Sequence, residues 1–152
     1  HASAHRPTKA VAALRERELA EGVTTLSTYM GFSTTVAAAK RGLLRFLAGA
    51  KDAGFSVVAY GAPAKGNTLL NFCGLGTDVI DFTVDRNPYK QGKYLAGVRI
   101  PIHAPEMIRE TRPDYLLVLP WNIHEEVMAH TAYIREWGGR WIVPIPAVEV
   151  LS

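Results

Sequence analysis

Gly61-Ala62-Pro63-Ala64-Lys65-Gly66-Asn67-Thr68 sets one lysine in a run of small residues. Small residues let a ligand approach the backbone, and an ammonium can meet the charge of a phosphate oxygen. Asn67 or Thr68 can cap a following helix or donate a hydrogen bond. Neither standard phosphate fingerprint is met. Pro63 takes the second glycine position of G-x-G-x-x-G, and Lys65 precedes Gly66 where a Walker loop has Gly-Lys. NTP hydrolysis is therefore not expected. The competing reading is that Gly61 and Gly66 only permit a tight strand-to-helix turn while Lys65 faces solvent.

Two further segments carry polar groups in suggestive company. In Asp85-Arg86-Asn87-Pro88-Tyr89-Lys90-Gln91-Gly92, Asp85 follows the glycine loop at the spacing, about 20 residues, at which dinucleotide folds place a ribose-binding acid. Its alternative is a turn acid before Asn87-Pro88, with Arg86 and Lys90 as solvated charges. In Leu119-Pro120-Trp121-Asn122-Ile123-His124-Glu125-Glu126, Asn122 can cap a helix, Trp121 can wall a pocket or fill the core, and His124 and Glu125 stand near the helix start. His130 shares the 3.6-residue stripe of Ile123, Val127, Ile134 and Trp137 and reads as core-packed or hydrogen-bonded. The five histidines show no short metal-ligand spacing, so no metal is expected. Cys73 lies among Leu69, Leu70 and Phe72 and reads as a small buried hydrophobe. No Gly-x-Ser-x-Gly turn is present.

These segments need elements to position them. Pro7 and Thr8 open a charged helix ending near Gly22, and Leu26, Tyr29, Met30, Val36, Ala37, Leu44 and Leu47 predict a long amphipathic helix over 26–53 that packs on a sheet. Gly31 and Gly42 each weaken it and could kink it. Short β-rich runs follow at 55–60, 79–84, 115–119 and 141–143, with a weaker one at 98–100. Helical stretches at 67–72, 104–109 and 123–137 separate them. Such alternation predicts a Rossmann-like α/β domain with a mainly parallel sheet flanked by helices, 54–152, preceded by a helical lead-in, 1–53. Ligands of parallel sheets bind at the carboxyl ends of the strands, where all three segments fall.

The 152 residues are 48% hydrophobic and 20% charged, which suits one ordinary domain. The 17 Lys and Arg residues give a net charge of +3 but form no basic run. That favours a small anionic ligand over nucleic acid, for which no binding signature is present. One cysteine excludes an intramolecular disulfide. No apolar run reaches the roughly 20 residues that span a bilayer, and the start carries no signal-like stretch. A soluble cytoplasmic protein with no membrane partner is expected. The missing initiator Met reads as a fragment.

Residues 60–71, 85–92 and 119–122, with Gly138-Gly139-Arg140 and Pro144-Ile145-Pro146, together resemble the C-terminal domain of SAM-dependent sugar C-methyltransferases. The resemblance runs from about Tyr60 to Pro146 and more loosely through the preceding helices. It implies a longer enzyme with a zinc-binding N-terminal part, a middle SAM-binding domain, and this domain holding a nucleotide-linked deoxysugar. The family's proposed base lies in the middle domain, so no catalytic residue and no cofactor are expected within this chain. Under the resemblance, 61–68 lie near the diphosphate and 85–91 near the nucleotide or sugar edge, while Trp121 and Asn122 face an interdomain cleft. Alternatives are a free-standing module binding NAD(P), CoA or another nucleotide, and a scaffold with a vestigial glycine loop.

Overall fold

The structure is a computed structural model and describes residues 8–152, so the expected proline-type helix start at Pro7, and His1 and His5, lie outside the described residues. It divides into two compact units, His1–Ala38 and Ala39–Ser152. The first holds α1 (Lys9–Ala20), whose described residues are all exposed, and the start of α2 (Leu26–Asp52). Leu26, Tyr29 and Met30, expected on a buried stripe, are 76%, 63% and 72% exposed. Burial along α2 begins only at Leu43, Leu47 and Ala50, within the second unit. The helix runs through Gly31 and Gly42 without a break.

The second unit is a six-stranded sheet in the order β3-β2-β1-β4-β5-β6. The strands are β1 (Val57–Tyr60), β2 (Thr83–Val84), β3 (Ile102–His103), β4 (Tyr115–Val118), β5 (Arg140–Val143) and β6 (Glu149–Leu151). The first five pair in parallel, and β6 adds antiparallel to β5. Parallel neighbours need crossovers that cover both faces, so the central strands are buried on both sides. Their alternation sorts them. Val57, Ala59, Leu117 and Ile142 face the layer of α2 and α3 (Ala64–Cys73). Val58, Tyr60, Val118 and Trp141 face α4 (Met107–Thr111) and α5 (His124–His130), which supply Ile108 and Val127. The domain is thus a three-layer, Rossmann-like α/β unit. No helix among the described residues is long and apolar enough to cross a membrane.

Several expected elements shift for identifiable reasons. The run at 79–84 yields only two strand residues, because Val79 and Ile80 donate to the Gly76 carbonyl in a turn. The weak strand at 98–100 is a turn around Arg99, whose φ is +58°, and pairing moves on to Ile102–His103. The helix at 104–109 starts later, at Met107, and the one at 67–72 starts earlier, at Ala64. The helix at 123–137 breaks into a 3-10 turn at Trp121–Ile123, α5, and a 3-10 segment at Ala132–Trp137. The strand Glu149–Leu151 was not expected.

Candidate functional site

β1 leaves the sheet into Gly61 and β4 into Leu119-Pro120, side by side where the strand order reverses direction. An open α/β sheet splays its loops apart at this point and leaves a crevice. Gly61 has φ +87°, and a Cβ there would lie 2.8 Å from Pro120 Cδ. Gly66 is buried, and a Cβ on it would lie 2.7 Å from Leu119 Cβ. Both glycines therefore seat the first turn of α3 on the end of β4. The N-cap of α3 is Pro63, with no side-chain cap. The expected caps are corrected accordingly: Thr68 Oγ1 donates to the Ala64 carbonyl, and Asn67 lies inside the helix, accepting from Asn71. Asn122 does not cap either. Its Oδ1 accepts from Lys65 Nζ, which also stands 4.5 Å above the Trp121 ring.

Asp85 fastens the second segment to the first. Its Oδ2 accepts from the Ala62 N–H at 2.7 Å and from Lys90 Nζ at 3.0 Å, and its Oδ1 accepts from the Asn87 N–H at 2.8 Å. Burial alone would raise its carboxyl pKa, but the hydrogen bonds from Asn87, Lys90 and Ala62 outweigh that and hold it below the ordinary value. Lys90 also donates to the Ala62 carbonyl, and Gln91 Nε2 to the Asp85 carbonyl. Asn87 Oδ1 accepts from the Tyr89 N–H.

The crevice has two compartments that meet at Tyr60, Arg86 and His130. The narrow one, about 220 Å³, includes Gly61, Ala62, Pro63, Asp85, Lys90 and Glu126 in its lining. The wide one, about 550 Å³, includes Gln91, Pro105, Glu106, Arg109, Thr131 and Tyr133. Ala64 and Asn67 line a different hollow with Lys93 and Tyr94. Asn122, His124 and Glu125 line one at the start of α5, where His124 Nδ1 lies 2.9 Å from the Trp121 carbonyl. The structure thus brings seven of the residues singled out in the sequence to the crevice, Gly61, Ala62, Pro63, Asp85, Arg86, Lys90 and Gln91, and sets the rest around it.

Other lining residues were not expected. His130 is exposed, not core-packed, with Nδ1 3.9 Å from Glu126 Oε1. α5 ends there, and the buried place one turn beyond Val127 goes to Thr131. Arg109 lies over the Tyr133 ring, 3.6 Å from its centroid. Burial raises the pKa of both Tyr60 and Tyr133 against the opposing charges of Arg86 and Arg109, so both phenols stay protonated at neutral pH. Only Tyr60 had a signal in the chain, as the last residue of a strand before a glycine loop. Cys73 is buried as expected, and burial raises its thiol pKa despite Lys40.

A parallel three-layer sheet with a crevice over its switch point defines a Rossmann-like domain of the kind that presents ligand-sized cavities at its carboxyl edge. The chain belongs to the family of C-methyltransferase C-terminal domains, which it matches over residues 1–146. It is 39% identical to C-methyltransferase NovU of Streptomyces niveus over 151 residues, 99% of this chain and 36% of that protein. It also aligns with the solved structure of UDP-D-quinovosamine 4-dehydrogenase from Vibrio fischeri. That alignment has 16% identity and a TM-score of 0.45, over 64% of this chain and 93% of the other.

Proposed function

We propose that this chain holds a nucleotide-linked sugar for a C-methyltransferase, while the SAM-binding domain, and with it the methyl donor, belongs to the remainder of the enzyme. The observation that carries this reading is the two-compartment crevice, with the exposed Arg86 at its waist and Arg109 in its wide end. Guanidinium groups suit the oxygens of a diphosphate, and the carboxylates of Glu106 and Glu126 suit sugar hydroxyls as acceptors. A dinucleotide reading fits less well, because both Asp85 oxygens are engaged by the chain's own donors and are not poised for a ribose diol. The proton-abstracting base and the structural zinc belong, on this reading, to other parts of the enzyme.

Calorimetric titration of dTDP, NAD, CoA and SAM into the purified chain tests the proposal. dTDP is expected to bind and SAM to give no heat. Binding of NAD or CoA in preference to dTDP would overturn it in favour of a free-standing nucleotide module. Failure of all four would leave the scaffold reading.

A further inference from the structure

The two compartments differ in what they can recognise. The narrow one is walled by Gly61, Ala62 and Pro63, with the Asp85–Lys90 pair closing one side. The wide one contains a flat cationic surface. The Arg109 guanidinium sits over its aromatic support, with Cζ 3.6 Å from the Tyr133 centroid, and both residues line the cavity. Tyr133 is half-buried with its ring centroid 5.9 Å from that of Trp137, while Arg109 is exposed. A guanidinium with one face on an aromatic ring keeps its other face for stacking, and heteroaromatic bases stack well on such planes. Among the described residues, neither Arg86 nor Arg109 has a carboxylate oxygen within 4.0 Å, so neither charge is spent on an ion pair. Gln91 lends Nε2 to the Asp85 carbonyl, which leaves Oε1 as an acceptor in the same lining.

We propose that the wide compartment is a nucleobase seat, in which the base stacks on the Arg109–Tyr133 pair while Arg86 at the waist takes the diphosphate. The sugar then enters the narrow compartment beside Gly61, Ala62 and Pro63. This rests on the nucleotide-sugar reading above and adds the direction in which the ligand lies. At about 550 Å³ the wide compartment falls within the usual range for small-molecule sites, whereas the narrow one, about 220 Å³, falls below it.

Inorganic pyrophosphate and dTDP separate the seat from the phosphate contact, because only dTDP has a base. In the purified chain, dTDP is expected to bind more tightly than pyrophosphate. Arg109→Lys keeps the charge and removes the plane. It should weaken dTDP on the order of 10-fold, as loss of a stacking surface does, and leave pyrophosphate unchanged. Tyr133→Leu, which removes the support, should follow the same pattern, with circular dichroism confirming the fold. Arg86→Ala should weaken both probes. Equal losses for the two probes in Arg109→Lys, or unchanged dTDP binding, would overturn the seat while leaving the nucleotide-sugar reading intact. A wild-type chain that binds pyrophosphate and dTDP equally would do the same. A wild-type chain that binds neither probe would overturn the nucleotide-sugar reading itself.

Discussion

Asp85 accepts three hydrogen bonds with a side chain only 13% exposed, so its charge matters to the fold as well as to the crevice. Its folded pKa is lowered, which means the unfolded chain binds more protons as the solution becomes acidic. Its contribution is therefore fully present above the unfolded carboxylate value of about 3.9 and is lost as pH falls through the lower folded value. Asp85→Asn should lower stability by about 1–3 kcal/mol at pH 7. The gap between the urea midpoints of wild type and variant should narrow progressively as the pH is lowered from 7 through the unfolded carboxylate range, and a gap that does not narrow would refute the assignment. Gly66→Ala should cost about 1–3 kcal/mol despite the better helix propensity of alanine, because the new methyl meets Leu119 Cβ, which is fixed to β4 and cannot rotate aside. Thermal melting reads this directly. Lys65 is engaged with Asn122 and Trp121 beside the crevice. Lys65→Ala is accordingly expected to change dTDP affinity less than about threefold, well below the 10-fold or more expected for loss of a charged phosphate contact.

Among the elements, α2 shows how one helix can meet two environments. Leu47 is fully buried between the helix and the sheet, in the cluster that includes Val57 and Leu117. Leu47→Ala should cost about 2–5 kcal/mol, the usual range for emptying a core leucine site. Met30→Ala, on the exposed stretch of the same helix, should stay within about 0.5 kcal/mol. Chemical denaturation of the two variants checks the contrast, and comparable losses would mean that Met30 is covered in solution. The break after α5 has a different consequence. Thr131 turns inward, its Oγ1 donating to the Val127 carbonyl and accepting from Trp141 Nε1, and His130 is left facing the crevice.

At the scale of the whole molecule, the chain spans 36% of the length of NovU. Methyl transfer requires a donor site, and on the proposed division of labour that site is elsewhere in the enzyme. The purified chain is expected to transfer no label from methyl-labelled SAM to any dTDP-sugar. Measurable turnover would refute that division. The crevice opens at the carboxyl edge, with Arg86 and His130 common to both compartments, so a ligand lying across it touches loops after β1, β2 and β4 at once.

Period and punctuation alone were enough to determine the α/β alternation. Val57 to Tyr60 and Tyr115 to Val118 are continuous apolar runs because both faces of a parallel sheet are covered, and that pattern is local. The strand-end positions of Gly61, Asp85 and Trp121 followed, since parallel strands put every such loop at one edge. The resemblance also rested on short ordered motifs that are legible without a fold. Which side chains line the crevice was decided by tertiary structure. Arg109 and Tyr133 are ordinary surface residues of separate elements until α4 and the 3-10 segment Ala132–Trp137 bring them into contact. His130 follows the apolar period in sequence, yet the helix ends there and the period no longer applies. Lys65 stands in a phosphate-like loop, but its direction is set by Asn122, 57 positions away. Periodicity reports the face an element buries, whereas a site forms from the ends and edges of elements, and those meet only through long-range packing.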